Sequence, residues 1–386
     1  MKRWRAVVVG TGFIGPVHIE GLQRAGVEVV AAIGSTAEKS ARLCEQFHLS
    51  GRHRTYEDVL QDASIDVIHL ATPNRLHFEQ AQAALRSGHH VLCEKPLAMT
   101  ARESEQLVQL AAETGKQAGV AYNVRFYPLC HEAAARVQSG SIGDLLHVRG
   151  SYVQDWLLLP TDFNWRVLAE DGGELRAVAD IGTHWLDLVQ FITGQRIVSV
   201  CADLQTVHPL RQQPVGGVET FSGMRRAAGE TRAVEITTED GGSVMFRFAG
   251  GAQGVLWVSQ TTAGRRNSLQ FEIGGSRSAL AWDSEQPNSL WIGHRDRANE
   301  QLLRDPSLLS ESAAPLARYP GGHNEGFPDT FRQLFESFYG CLENDTPGDR
   351  LPFPTFADGH QEILLCEAIL RSHRERCWVD LQESGL

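Results

Sequence analysis

Two short segments carry the side chains best suited to moving a proton. In "VLCEKPLAMT" a Glu94-Lys95-Pro96 triplet follows an apolar run that reads as a strand. A lysine at the carboxyl end of a parallel strand lies where such sheets bind ligands, and Pro96 can fix a rigid bond that aims it. Partial desolvation and a neighbouring positive charge lower a lysine pKa, so Lys95 can exchange a proton with a hydroxyl. The plainer reading is a surface Glu-Lys pair in a loop. In "ADIGTHWLDLVQF", Asp180, His184 and Asp187 stand at i, i+4 and i+7, while Ile181, Trp185, Leu188 and Val189 point elsewhere. That spacing predicts one polar helix face. An Asp-x-x-x-His face suits a proton relay beside Lys95. It also suits two metal ligands, but no third or fourth ligand stands near, so no metal is expected. The bland reading is a histidine bonded to its own helix neighbour.

A glycine turn near the start suggests what lies beside these groups. "VVVGTGFIGP" runs a strand pattern into Gly10, Gly12 and Gly15, a G-x-G-x-x-G spacing with Phe13 and Ile14 inside it. Alone the pattern is weak, but here a strand precedes it and an amphipathic segment follows. Gly10 permits the tight turn, Gly12 a close approach of backbone to pyrophosphate, and Gly15 close packing of helix on strand. The helix N-terminus then offers unpaired N–H groups and a positive dipole to the phosphates. An NAD-selective site usually has an acid about 20 residues on. Here Ser35 and Thr36 stand in its place, with Lys39 and Arg42 behind. Hydroxyls and cations there lean towards NADP and leave NAD open; alternatively, Ser35 or Thr36 simply caps the next helix.

The elements that position these groups follow from hydrophobic periodicity. Apolar runs at "WRAVVVG", "VEVVAAI", "IDVIHLAT", "HHVLCEK" and "KQAGVAY" alternate with helical stretches, the last opening at Thr100 and closing at Gly115. Continuous apolar strands between helices predict a doubly wound parallel sheet over residues 1–123. The remainder, 124–386, reads as an α/β domain with a large, mainly antiparallel open sheet. It holds helices near Leu129 to Ser139 and Leu175 to Gly194, five or more strands between Ile197 and Ile292, and helices at Phe327 to Asn344 and Thr355 to Arg374. Turn signals sit at Asp240-Gly241-Gly242 and Gly250-Gly251, and Asn299 to Gly322 reads as loop.

The net charge of −11 argues against a general nucleic-acid binder. No apolar stretch is long enough for a membrane-spanning helix. The basic, then apolar, N-terminus reads as a first strand rather than a signal peptide, so the expectation is a cytoplasmic protein. Seven scattered cysteines with no C-x-x-C pair fit reduced thiols.

Taken in order, Gly10-Thr11-Gly12-Phe13-Ile14-Gly15, Ala71-Thr72-Pro73-Asn74 with His77, Glu94-Lys95-Pro96, Trp165-Arg166 and Asp180-x-x-x-His184 resemble the Gfo/Idh/MocA family of NAD(P)-dependent oxidoreductases. The resemblance spans nearly the whole chain. It implies a Rossmann domain followed by a domain whose sheet builds homodimers or homotetramers. It implies hydride transfer at a secondary hydroxyl or ketone of a sugar, cyclitol or sugar derivative, with Lys95 and His184 catalytic and Asp180 assisting by orienting the histidine. Thr72, Pro73, Asn74 and His77 would line the cofactor cleft, with Glu94 near the nicotinamide ribose. Asn123, Arg125, Tyr152, Trp156, Trp165 and Arg166 would serve the nicotinamide or substrate. Arg176 departs from the small residue common in relatives, and would narrow the pocket or recruit an anionic substrate. Two rivals remain: a redox-neutral hydrolase or lyase with tightly held NAD, and a non-catalytic nucleotide-binding regulator.

Overall fold

The computed structural model describes residues 2–51, 55–215, 230–344 and 351–381. Strands β1 (Arg5–Val9), β2 (Glu28–Ile33), β3 (Val67–Leu70), β4 (His90–Cys93) and β5 (Ala118–Val120) form a parallel sheet in the order β2-β1-β3-β4-β5. Helices α1 (Ile14–Arg24), α2 (Ala37–Gln46), α3 (Tyr56–Leu60), α4 (His77–Arg86) and α5 (Ala101–Thr114) connect them. These strands are mostly apolar because both faces are covered, with His69 on β3 a buried exception. Thr100 and Glu103 form a reciprocal capping box on α5, and Gly115 closes it in the left-handed conformation, as the sequence predicts.

Beyond Tyr122 come α6 (Pro128–Gln138), β6 (Leu145–Val153), the short α7 (Ala169–Gly172) and α8 (Thr183–Thr193). Ten strands follow: β7 (Ile197–Gln205), β8 (Leu210–Pro214), β9 (Thr231–Glu235), β10 (Gly241–Phe248), β11 (Gln253–Ser259), β12 (Ser268–Gly275), β13 (Ser278–Asp283), β14 (Ser289–His294), β15 (Glu300–Leu303) and, after α9 (Phe327–Asn344) and α10 (Phe356–Glu375), β16 (Val379–Asp380). Nine strands make one sheet, ordered β15-β14-β13-β12-β6-β11-β10-β7-β16. Every pairing in it is antiparallel except β6 with β11. Strands β8 and β9 form a separate ribbon.

One turn expectation and part of one loop expectation fail. Gly241 and Gly242 are not a turn but open β10, where each approaches a neighbouring strand's backbone too closely for a Cβ. Glu300–Leu303, expected as loop, pairs as an edge strand with β14. The turn at Gly250-Gly251 is present, with Gly251 at φ 90°.

One face of the large sheet packs on α8 through Trp185, Leu188, Val189 and Ile192. Trp185 donates its indole N–H to the Gln270 carbonyl, 2.8 Å away, over Gly150. Helix α9 returns to the first sheet and packs on α1, where Gly21 leaves room for Phe331 and Phe335. These two packings bring the carboxyl ends of β1–β5 opposite the start of α8.

Candidate active site

A cavity of about 1010 Å³ runs from the glycine turn to the end of β6. It is at the upper end of small-molecule site sizes. Gly10, Thr11, Gly12, Phe13 and Ile14 line one end together with Ser35, Thr36 and Lys39. Thr72, Pro73, Asn74, Glu94, Lys95 and Asn123 line the middle, and Tyr152, Trp165, Arg166, Asp180 and His184 the far end.

The glycine turn is built for close approach. Gly10 has φ 122°, and a Cβ there would collide with the Ala71 carbonyl. A Cβ on Gly15 would collide with the Gly10 carbonyl. At Gly12 nothing lies within 4 Å of the Cβ position, so that backbone faces open cleft. Helix α1 has no side-chain cap and no acid in its first turn. A bare helix N-terminus at an open glycine backbone suits a pyrophosphate, and these residues therefore fit a dinucleotide. At the other end of this region Thr36 is the N-cap of α2, accepting from the Lys39 amide at 3.3 Å. Lys39 Nζ donates to Ser35 Oγ at 3.2 Å.

The far end gathers charge. Lys95 Nζ donates to Asp180 Oδ1 at 2.9 Å and to the Asp180 carbonyl at 2.8 Å. Asp180 Oδ2 accepts from Gln260 at 2.8 Å, and Arg166 Nε lies 3.3 Å from Oδ1. Burial would raise the Asp180 pKa, but the Lys95 and Arg166 cations outweigh it and hold the carboxyl well below the usual range. His184 is 8% exposed, and its Nδ1 is buried without a partner. Burial first, and Lys95 second, push its pKa down to about 3, so the ring is neutral near pH 7. The Arg166 guanidinium lies over the Trp165 ring, 4.4 Å from its centre.

Asp180 does not orient His184. Both its oxygens are taken by Lys95, Gln260 and Arg166, so its geometry serves the lysine. The segment is also not one regular helix: Val178–Gly182 forms a π turn that runs into α8. Such turns recur at functional sites. Asp187 leaves the polar face altogether and is bound by Arg125.

Four more expected site residues lie off the cleft. Arg125 donates its Nε to Asp187 Oδ2 at 2.7 Å and its Nη2 to Asp187 and Asp358, so its valences are spent on scaffold. His77 is fully buried between the Pro96 and Thr72 carbonyls, 2.7 and 2.8 Å away, tying together two loops that do line the cleft. Trp156 packs beside Leu157, Val167 and Ile236 and donates to Gln154 Oε1 at 2.8 Å. Arg176 is 2% exposed, ion-paired with Asp240 alongside Arg211, and recruits no substrate. Glu94 does reach the cleft, but one oxygen is held by His18 at 2.9 Å.

The sequence reading missed Gln154, Gln260, Arg266 and Asn267. Gln154, Arg266 and Asn267 line the cavity, and Gln260 grips Asp180. Asn267 Oδ1 accepts from the Tyr152 hydroxyl at 2.8 Å and the Gln154 amide at 2.7 Å. Nothing in their spacing announces them; the pairing of β6 with β11 and β12 places them.

A doubly wound sheet with a dinucleotide turn, opening on a paired lysine and a neutral histidine, defines an oxidoreductase that acts on CH–OH groups with a nicotinamide cofactor. Two family models match in sequence order: "Oxidoreductase family, NAD-binding Rossmann fold" over residues 4–122, and "GFO/IDH/MocA C-terminal domain" over residues 130–281; the chain belongs to this family. Levoglucosan dehydrogenase of Pseudarthrobacter phenanthrenivorans is 28% identical, with 99% of each chain covered. Inositol 2-dehydrogenase of Rhizobium meliloti is 24% identical, with 96% of each chain covered. Among solved structures, levoglucosan dehydrogenase in complex with NADH and L-sorbose superposes with a TM-score of 0.88 at 26% identity, covering 100% of both chains. Among the described residues no helix is long and apolar enough to cross a membrane, and no group of three or more His, Cys, Asp or Glu could hold a metal ion.

Proposed function

We propose that the protein oxidises a secondary hydroxyl of a sugar, anhydrosugar or cyclitol, with Lys95 and His184 handling the proton. The observation that carries this is the Lys95–Asp180 pair beside a neutral His184 whose Nδ1 has no partner, in a cleft whose other end is an open glycine turn. Cofactor contacts fall to Gly10, Gly12, Phe13, Ile14, Gly15, Thr72, Pro73, Asn74, Glu94, Asn123, Trp165 and Arg166. When bound, the nicotinamide supplies the hydride acceptor.

The protein's own groups do the rest. His184, neutral because it is buried, accepts the hydroxyl proton. Lys95 donates a hydrogen bond to the substrate oxygen and stabilises the charge that develops there. Asp180 holds Lys95 in place and stays ionised. Tyr152 offers a ring face to the substrate, and Gln154 and Asn267 offer amide groups to its hydroxyls. The levoglucosan and inositol dehydrogenases among the relatives support the substrate class.

At the adenosine end, Ser35 and the Lys39 ammonium replace the usual acid, and we infer that the site accepts a 2′-phosphate and prefers NADP to NAD. The chain divides functionally at residues 123/124. On the outer face of the large sheet, Met245, Val255 and Trp257 are 46%, 41% and 47% exposed on neighbouring strands. A patch of that kind supports a homodimer or homotetramer built on this face.

The test is a pooled panel of sugars, anhydrosugars, cyclitols and sugar acids, run with NAD and with NADP. Formation of reduced cofactor with either, faster with NADP, is the expected result. Silence with both, in protein that binds cofactor, overturns the dehydrogenase reading.

A further inference from the structure

Beneath the cleft, four polar side chains form a largely buried chain that ends at the cleft floor. His18 lies on α1, His69 on β3, Glu94 just past β4 and Tyr339 on α9. Both histidines are 0% exposed, Glu94 is 7% and Tyr339 5%. His18 Nε2 is 2.9 Å from Glu94 Oε1, the two Nδ1 atoms are 3.1 Å apart, and His69 Nε2 is 3.0 Å from the Tyr339 hydroxyl. Phe335 packs against both imidazoles, with ring centres 5.1 and 5.0 Å away, and Phe331 lies 5.5 Å from His18. The proton chemistry assigned to Lys95 and His184 uses none of these groups. Two imidazoles in an aromatic wall are costly unless every polar atom is satisfied.

One direction satisfies the whole chain. Burial alone would raise the Glu94 pKa, but the His18 hydrogen bond together with the nearby Lys95 cation outweighs it, and the carboxyl lies below its ordinary value. A carboxylate oxygen only accepts, so His18 donates from Nε2. Burial drives the Tyr339 pKa well up, so its hydroxyl keeps its proton and can give it to His69 Nε2. His69 is neutral, because burial drives its pKa well down. Its own proton therefore sits on Nδ1 and is donated to His18 Nδ1. The opposite direction needs protons on both His18 nitrogens and leaves the tyrosine hydroxyl without an acceptor. In a dry interior such aligned bonds reinforce one another.

We propose that His18, His69 and Tyr339 are positioning residues that fix the Glu94 carboxylate at the floor of the cleft, where its charge favours the oxidised, cationic cofactor over the reduced, neutral one. The inference rests on the dinucleotide reading above. A fixed negative charge stabilises a cationic ring and is nearly indifferent to a neutral one. The chain thus biases which redox form the enzyme holds, without touching substrate.

The test measures dissociation constants of oxidised and reduced cofactor, by calorimetry and by fluorescence, on full-length wild type, His18→Leu, His18→Gln and Tyr339→Phe. In His18→Leu the oxidised form should weaken about tenfold more than the reduced form, as expected for losing a hydrogen bond to a charged group. His18→Gln, which keeps an amide donor, should recover most of that difference. Tyr339→Phe should shift the ratio in the same direction by about two- to threefold, with an almost unchanged melting temperature. Equal weakening of both forms, in step with lost thermal stability, would overturn the proposal. A wild type that binds neither form overturns the dinucleotide reading as well; one that binds both, with a ratio unmoved in the variants, overturns this chain alone. If His18→Leu does not fold, Tyr339→Phe decides. Imidazole ¹⁵N shifts give an independent check: a proton on Nδ1 of His69 and on Nε2 of His18 is expected, and a proton on Nε2 of His69 contradicts the chain.

Discussion

Asp180 and Asp187 lie seven residues apart on one helical stretch, and each is paired with a cation. Asp180 faces Lys95 in the cleft, with Arg166, Gln260 and His184 beside it. Asp187 faces Arg125, which also grips Asp358 on α10. By residue type the two pairs look alike. What separates them is access to the cleft. At Asp187 the guanidinium is shared between two carboxylates, and none of the three lines the cavity. At Asp180 the lysine, the carboxylate and the neighbouring histidine all line it. A site is where a held pair opens on a cavity; a scaffold is where it does not.

The comparison breaks most easily at Lys95. Lys95→Met should lower turnover by about 10³- to 10⁴-fold while leaving the cofactor dissociation constant within about twofold, measured by steady-state kinetics and fluorescence titration. Near-normal turnover would move the chemistry elsewhere. Asp180→Asn comes next, with a loss in kcat of about 100-fold and a near-normal melting temperature, because it loosens the lysine rather than the fold.

Asp187→Asn should behave in the opposite way. It leaves Arg125 without its main partner, and breaking such a buried pair costs about 3–5 kcal/mol, read by denaturant unfolding. The folded remainder should keep its kcat. A kinetic defect without a stability defect would erase the distinction between the two aspartates.

The pH response sharpens the picture. His184 has its folded pKa depressed to about 3 against an ordinary 6.5, so the unfolded chain takes up its proton first. Its contribution to stability is complete above 6.5 and is lost as pH falls from there towards 3. His184→Gln should therefore reduce the acid-side slope of unfolding free energy by about 1.4 kcal/mol per pH unit in that window. An unchanged slope would mean that the ring is already charged in the fold. The smallest effect expected is at Trp156→Phe, which removes one donor to Gln154 behind the substrate pocket. KM should rise about two- to fivefold with kcat unchanged.

Much of the fold could be read from local pattern. Gly10 and Gly15 sit where a Cβ has no room, and the strands of the first sheet are mostly apolar because both faces are covered. Helix α9 has the bounds expected from its periodicity, and Thr100 and Gly115 cap α5. The lining of the cleft was readable where it follows from local position: Lys95 after its strand, and Asp180 and His184 at their spacing, do face one cavity. It was not readable where partners are distant. Arg125 meets Asp358 from 233 positions away, and Arg176 meets Asp240 from 64. No spacing rule distinguishes such an arginine from one that binds substrate. Gln260 reaches Asp180 only because β11 pairs with β6 in parallel, a long-range choice. Gly241-Gly242 looks like a turn locally, yet its glycines serve close strand contact instead.

The most direct test is isotopic. A substrate found in the panel, deuterated at its carbinol carbons, would be turned over with oxidised cofactor, and the recovered cofactor examined by mass spectrometry. The account predicts deuterium in the reduced cofactor with wild type and none with Lys95→Met. Substrate conversion with no label and no net reduction would contradict it and point to redox-neutral chemistry in the same cleft.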